Sequence, residues 1–219
     1  FDVVNHVACG DDEEDDDDAV VCTREANQAN LRLAYTFGDG GFCPKEFGIS
    51  GQWGQLPNAE TGEKGSRWAA AAHMDVNCGR WNLQLQAGRQ VIDLNSTQDV
   101  DYSDTATFGG FSGSHQVASE ANLGVANIAY NFPVPWENLD SLTCYNDFSI
   151  YDKDKPGFSD SMINTSGCSL SRGPLFIYAD FIRAQNAPFL GSAGEGIETL
   201  GKGNAGWDTL YNLNLGYYF

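Results

Sequence analysis

No uninterrupted apolar run of about 18 residues occurs in the chain, so a transmembrane helix is excluded. Basic residues are scarce too: 12 Lys+Arg stand against 30 Asp+Glu, for a formal net charge of −18. A protein that grips nucleic-acid phosphates needs the opposite balance, and no nucleic-acid partner is expected. None of the six cysteines has the CxxC spacing of a zinc site or a dithiol redox motif. Only three histidines are present, and none stands in an evident catalytic arrangement. His115 neighbours Ser112 and Ser114 in a Gly/Ser-rich stretch, His6 has no obvious partner, and His73 lies two residues from Asp75 with no serine in its segment. A nucleophile and base held together are not visible, so no enzyme is expected. No secretory leader is evident and the first residue is Phe1, which leads us to expect a removed leader or an absent N-terminal portion.

What is present argues for a folded chain. Hydrophobic residues make up 42% and aromatics 12% of the 219 residues, too much apolar surface for an acidic disordered tail. The acidity is concentrated. Asp11, Asp12, Glu13, Glu14, Asp15, Asp16, Asp17 and Asp18 form one unbroken run, and the remaining 211 residues carry a net charge of −10. Eight adjacent carboxylates repel one another and stay in solvent. Their oxygens make the run the candidate metal site, with Ca²⁺ or Mg²⁺ as ligand, although EF-hand spacing is absent and a loose counterion atmosphere is the expected form. No other cofactor is expected.

The cysteines fit hairpins. Residues facing each other across an antiparallel pair have a constant index sum. For Cys43 and Cys78 that sum is 121, centred between Glu60 and Thr61; for Cys144 and Cys168 it is 312, centred on Pro156 in Lys153-Asp154-Lys155-Pro156-Gly157. Cys9 and Cys22 bracket the acidic run. Three nested disulfides, 9–22, 43–78 and 144–168, are therefore expected, in an oxidising compartment.

Alternation with period two dominates the rest, the signature of strands with unlike faces. It is clearest in Trp81-Asn82-Leu83-Gln84-Leu85-Gln86-Ala87-Gly88, and it recurs where Tyr211, Leu213, Leu215, Tyr217 and Phe219 share a face. Strands are expected at 30–38, 45–54, 66–78, 81–93, 121–132, 141–151, 162–172, 174–184 and 207–219, with 1–8 as one more, about ten in all. A soluble sandwich would bury the apolar faces in a shared core, whereas a membrane barrel would turn them to lipid. The connections favour the barrel, because tight turns at 77–80 and 171–174 alternate with long polar segments at 94–120 and 185–206. The expectation is one antiparallel transmembrane β-barrel domain over 1–219, with 9–22, 94–120 and 185–206 as extracellular loops.

Cys144-Tyr145-Asn146-Asp147-Phe148-Ser149, then Phe158-Ser159-Asp160-Ser161 and Gly167-Cys168-Ser169-Leu170, resemble the C-terminal portion of phosphate-selective porin O/P-like outer-membrane proteins. Ile177-Tyr178-Ala179-Asp180-Phe181-Ile182 and the ending Tyr211 to Phe219 resemble it as well; before residue 140 the likeness is only general. The final Gly-x-x-Phe is also similar to the terminal signal read by the barrel assembly machinery. The resemblance implies a bacterial outer-membrane porin that passes small solutes or ions, sits among outer-membrane lipid and lipopolysaccharide, and assembles as a homotrimer. Porins have roughly 16 to 18 strands, so a C-terminal part of a larger barrel is expected, with a complete ten-strand barrel as the alternative.

The alternation assigns Arg32, Glu46, Arg67, His73, Asp75, Asp147 and Asp180 to the lumen, together with Gln52, Gln84, Gln86, Asn131, Asn212 and Asn214. Arg67, His73 and Asp75 share one strand face and are the leading candidates for solute contact. A basic constriction for anions is not available from so few cations, and a weak cation preference is expected. The alternatives are a non-conducting adhesion or interaction barrel and a secreted soluble β-sandwich.

Overall fold

The computed structural model describes residues 25–38, 43–57, 64–94, 104–110, 113–135, 139–187, 190 and 206–218. The described residues form strands and turns and contain no helix. The strands are β1 (Ala26–Thr36), β2 (Pro44–Pro57), β3 (Lys64–Cys78), β4 (Trp81–Asp93), β5 (Thr105–Gly110), β6 (Gly113–Ala118), β7 (Glu120–Asn131), β8 (Ser141–Lys153), β9 (Ser161–Arg172), β10 (Leu175–Gln185) and β11 (Trp207–Tyr217).

Nine of these make one antiparallel sheet in the order β1-β2-β3-β4-β7-β8-β9-β10-β11. All nine strands expected between 30 and 219 are present, most of them a few residues longer or shifted. One expectation needs correction. Among the described residues the nine-stranded sheet is open: β1 and β11 are its edges and do not pair with each other. Alternation reports the two faces of a strand and carries no information about whether the first and last strands meet. The segment 94–120 is also more than a loop, since it holds the hairpin β5–β6, whose strands pair only with each other. Its Gly and Ser content hid two short β runs. The candidate strand 1–8, the acidic run 11–18 and Cys9 and Cys22 lie outside the described residues.

Two tight turns show why the meander forms. β3 and β4 join through Gly79-Arg80, and β9 and β10 through Gly173-Pro174. In each the first turn residue is a glycine at positive φ, 61° and 51°. Two-residue hairpin loops favour that conformation because it matches the strand twist, and glycine adopts it without a Cβ clash.

The register follows the index sums. Phe47 faces Met74 and Leu56 faces Gly65 across β2–β3, both summing to 121; Cys144 faces Cys168 directly across β8–β9. Disulfides join Cys43 to Cys78 and Cys144 to Cys168, with Cα atoms 4.9 and 4.0 Å apart. A register shift between Pro44 and Glu46 moves Cys43 toward Asn77, whose backbone N donates to Cys43 O at 3.0 Å, and the disulfide reaches the next residue, Cys78.

Each strand presents unlike faces, and the ladder aligns them. One face carries Leu31, Leu33, Ile49, Ala72, Met74, Leu83, Leu85, Ala126, Ile128, Leu213 and Leu215, and these side chains have no covering layer among the described residues. Leu31 is 64% and Leu213 68% exposed. The other face is mainly polar and concave, with a hollow of about 660 Å³ lined by residues of β1, β2, β3, β4, β7 and β8. The small buried core lies at the loop end of that face, where Ala106 of β5 packs on Leu56 and Ile92 with Leu94 and Val117 around them. Backbone bonds from Ile92 N to Ser119 O (2.8 Å) and from Ser119 N to Asp104 O (3.0 Å) anchor the hairpin there.

Candidate functional site

Arg32, Glu46, Arg67, His73, Asp75, Asp147 and Asp180 all fall on the concave face, as the strand registers require. They do not form one constellation. Their hydrogen bonds divide them between the two halves of the sheet.

In the β1–β3 half, Arg32 is ion-paired with Glu46 Oε1, and His73 Nε2 lies 2.8 Å from the same oxygen. Arg32 Nη2 and His73 Nε2 are 3.3 Å apart. Arg32 and His73 belong to strands two apart, and they meet because Gly48 stands between them on β2, directly opposite His73. A Cβ on Gly48 would run into the imidazole ring. Arg67 and Asp75 stand outside this cluster. Arg67 pairs with Glu25, while Asp75 accepts from Asn82 Nδ2 at 2.7 Å. Shared parity on β3 put Arg67, His73 and Asp75 on one face, but each contacts a different segment: Arg67 reaches Glu25 before β1, His73 reaches Glu46 on β2, and Asp75 reaches Asn82 on β4.

In the β7–β11 half the same device recurs with different chemistry. Tyr145 of β8 donates its hydroxyl to Asp180 Oδ1 of β10 at 2.5 Å, passing over Gly167 of β9. A Cβ on Gly167 would overlap the Asp180 carboxylate and lie 2.9 Å from the Tyr145 hydroxyl. Asn212 Nδ2 donates to Asp180 Oδ2 at 2.9 Å, and Asn127 donates to Asp147. Among the described residues neither Asp147 nor Asp180 has an ion pair. Their donors are amides and a phenol, which hold a carboxylate without neutralising it.

Sequence reasoning passed over several of these residues. Glu25 precedes the expected start of the first strand. Gly48 and Gly167 look like ordinary strand glycines until the flanking strands are known. Tyr145 was visible in principle, because it shares parity with Asp147.

Two clusters of polar side chains interrupt the apolar face, besides Arg183, which lies over the Trp207 ring. Near the loop end Arg89 donates to Glu120 Oε2 (2.8 Å), Asp154 Oδ2 (2.9 Å) and Asn122 Oδ1 (3.0 Å), and Lys155 Nζ lies 3.1 Å from Glu120 Oε1. Midway along β8 and β9, Asn146 and Asn164 exchange amide hydrogen bonds of 3.0 and 3.1 Å, and Asn146 also donates to Ser166 Oγ at 2.8 Å. Among the described residues no group of three or more His, Cys, Asp or Glu side chains is placed to hold a metal ion. The acidic run, the Ca²⁺ candidate, is outside that set.

Compared with protein-family models, curated proteins and solved structures, the chain matches none.

Proposed function

We propose that this chain forms part or all of the wall of a transmembrane β-barrel in a bacterial outer membrane, and that the barrel is a porin-like passive channel for small solutes or ions. One observation carries the reading: an uncovered aliphatic band bounded by aromatic rows on a single face. Trp53, Trp68 and Trp207 lie on the apolar face toward the loop end, and Tyr35, Phe47, Trp81, Tyr130 and Tyr217 lie on it toward the turn end. Lipid-facing barrels place aromatic girdles at both interfaces in this way.

The dimensions agree. Trp68 is ten residues from Cys78, which faces Trp81. Ten residues cover about 34 Å along a strand. At a tilt of about 40° that becomes about 26 Å, against an apolar band about 25 Å tall in outer-membrane barrels. In water the same face would expose side chains worth about 1.5–3 kcal/mol each on burial. A soluble sandwich would need a second layer over it, and the hairpin β5–β6 packs on the opposite face.

The partners follow from the same reading. Lipid and lipopolysaccharide contact the band, and the ending Tyr211 to Tyr217 offers the assembly machinery an aromatic strand. The reciprocal Asn146–Asn164 pair interrupts the lipid face on β8–β9, and it supports a proposed homotrimer contact at that position. Acidic walls lean the channel toward cations. The test is planar-bilayer recording from protein refolded in detergent. Discrete current steps are expected, with a reversal potential in a salt gradient that favours the cation. A protein that stays monodisperse without detergent and conducts nothing would sink the channel reading, and a reversal potential favouring chloride would sink the selectivity.

A further inference from the structure

We infer that the hollow on the concave face is a binding site for a neutral polyhydroxylated solute of saccharide type, and that it is not a phosphate site. The inference rests on the channel reading and names the solute class for that channel.

The hollow holds about 660 Å³, inside the range of about 300–1,000 Å³ usual for small-molecule sites. Its polar lining is mostly uncharged: Asn30, Ser50, Gln52, Gln86 and Gln90 approach from β1, β2 and β4. Among the described residues the side chains of Asn30, Ser50, Gln52 and Gln86 have no hydrogen-bond partner, whereas Gln90 Nε2 is committed to the Tyr151 hydroxyl at 2.5 Å. A primary amide presents one acceptor and two donor hydrogens side by side, and a sugar hydroxyl is both donor and acceptor, so the two groups satisfy each other without charge. The floor is apolar, formed by Ala69, Ala71 and Leu123, with Tyr151 at one side. Sugars carry C–H faces that rest on such surfaces while their hydroxyls reach the rim.

Phosphate lacks what it needs here. The one cation lining the hollow on this face is Arg32, and its guanidinium is held by Glu46, a carboxylate that repels an incoming anion. Arg89 also borders the hollow, but its guanidinium belongs to the opposite face, committed to Glu120 and Asp154. No guanidinium is left free to take a phosphate bidentately.

The experiment is single-channel recording with maltotriose and inorganic phosphate added in turn, paired with calorimetric titration of both onto the detergent-solubilised protein. Maltotriose should interrupt the current and titrate in a saturable way, with phosphate weaker in both measurements. Gln52→Leu together with Gln86→Leu should raise the half-blocking maltotriose concentration by about fivefold or more, as the loss of uncharged hydrogen bonds implies. Currents that maltotriose leaves untouched, or that phosphate blocks at lower concentration, overturn the inference and leave the channel standing. If no current is seen, saturable maltotriose binding by calorimetry still supports the site, and no binding overturns it.

Discussion

The two networks on the concave face share a backbone device and differ in charge. In each, a glycine on the middle strand lets side chains from the strands on either side meet above it: Arg32 and His73 across Gly48, Tyr145 and Asp180 across Gly167. The first network pairs a guanidinium with a carboxylate and an imidazole, so its field largely cancels. The second surrounds a carboxylate with a phenol and an amide, so its negative charge persists. The β1–β3 half therefore cross-links its strands through a cluster whose charges offset one another. The β7–β11 half keeps carboxylates held only by neutral donors, and in the proposed channel this is the half whose charge a permeant ion would sense. A face that alternation alone describes as uniformly polar is therefore two surfaces.

The largest expected effect concerns the covalent clamps, one in each half. Cys144→Ser with Cys168→Ser should lower unfolding stability by about 2–4 kcal/mol, and Cys43→Ser with Cys78→Ser slightly more. The reason for the order is loop size, a sequence separation of 24 against 35 between the joined cysteines. Denaturant titration of both variants in one detergent checks the magnitude and the order.

Next come the glycine windows. Gly167→Ala forces the Asp180 carboxylate off its donors, and a loss of about 1–3 kcal/mol is expected. Gly48→Ala meets only the His73 ring, which can turn aside while Glu46 keeps Arg32, so about 1 kcal/mol is expected. Equal losses in parallel unfolding curves would dissolve the distinction between the halves.

The smallest effects are electrical. A lone charge about 9 Å from a permeant ion in water is worth about 0.5 kcal/mol, or about twofold in relative permeability. Asp180→Asn should therefore lower the cation-to-anion permeability ratio about twofold at low salt. Replacing Arg32 and Glu46 together by glutamine should leave the ratio nearly unchanged, because their fields already cancel. A larger shift from the pair than from Asp180→Asn, read from reversal potentials, would invert the comparison.

Much of the fold was legible in particular residues. The run from Trp81 to Gly88 announces β4 and its two faces. The sums 43 with 78 and 144 with 168 give the hairpin registers along with the disulfides. Parity then carries each of the seven charged residues to the polar face. The contacts were not legible in the same way, because they run diagonally between neighbouring strands, as His73 does to Glu46, or skip a strand, as Tyr145 does to Asp180. His73 was read beside Asp75, two residues along β3, yet it contacts Glu46, which faces Asp75 on the next strand. The hairpin β5–β6 was hidden for another reason: six-residue strands inside a Gly/Ser-rich segment give too few alternating positions to stand out from a loop.

Neighbouring residues alone set the local order: which residues extend, which face each side chain takes, where Gly79 and Gly173 turn the chain, and that Cys43 meets Cys78 and Cys144 meets Cys168. These are properties of period two and of short hairpins, and both are written in adjacent residues. Only the tertiary structure decided which face is concave, where β4 finds β7 past the inserted hairpin, and how Gly48 and Gly167 open passages for side chains two strands apart. It also decided that β1 and β11 stand as separate edges. Those outcomes depend on the curvature accumulated over the whole sheet and on packing between residues far apart in the chain, and alternation along one strand does not encode them.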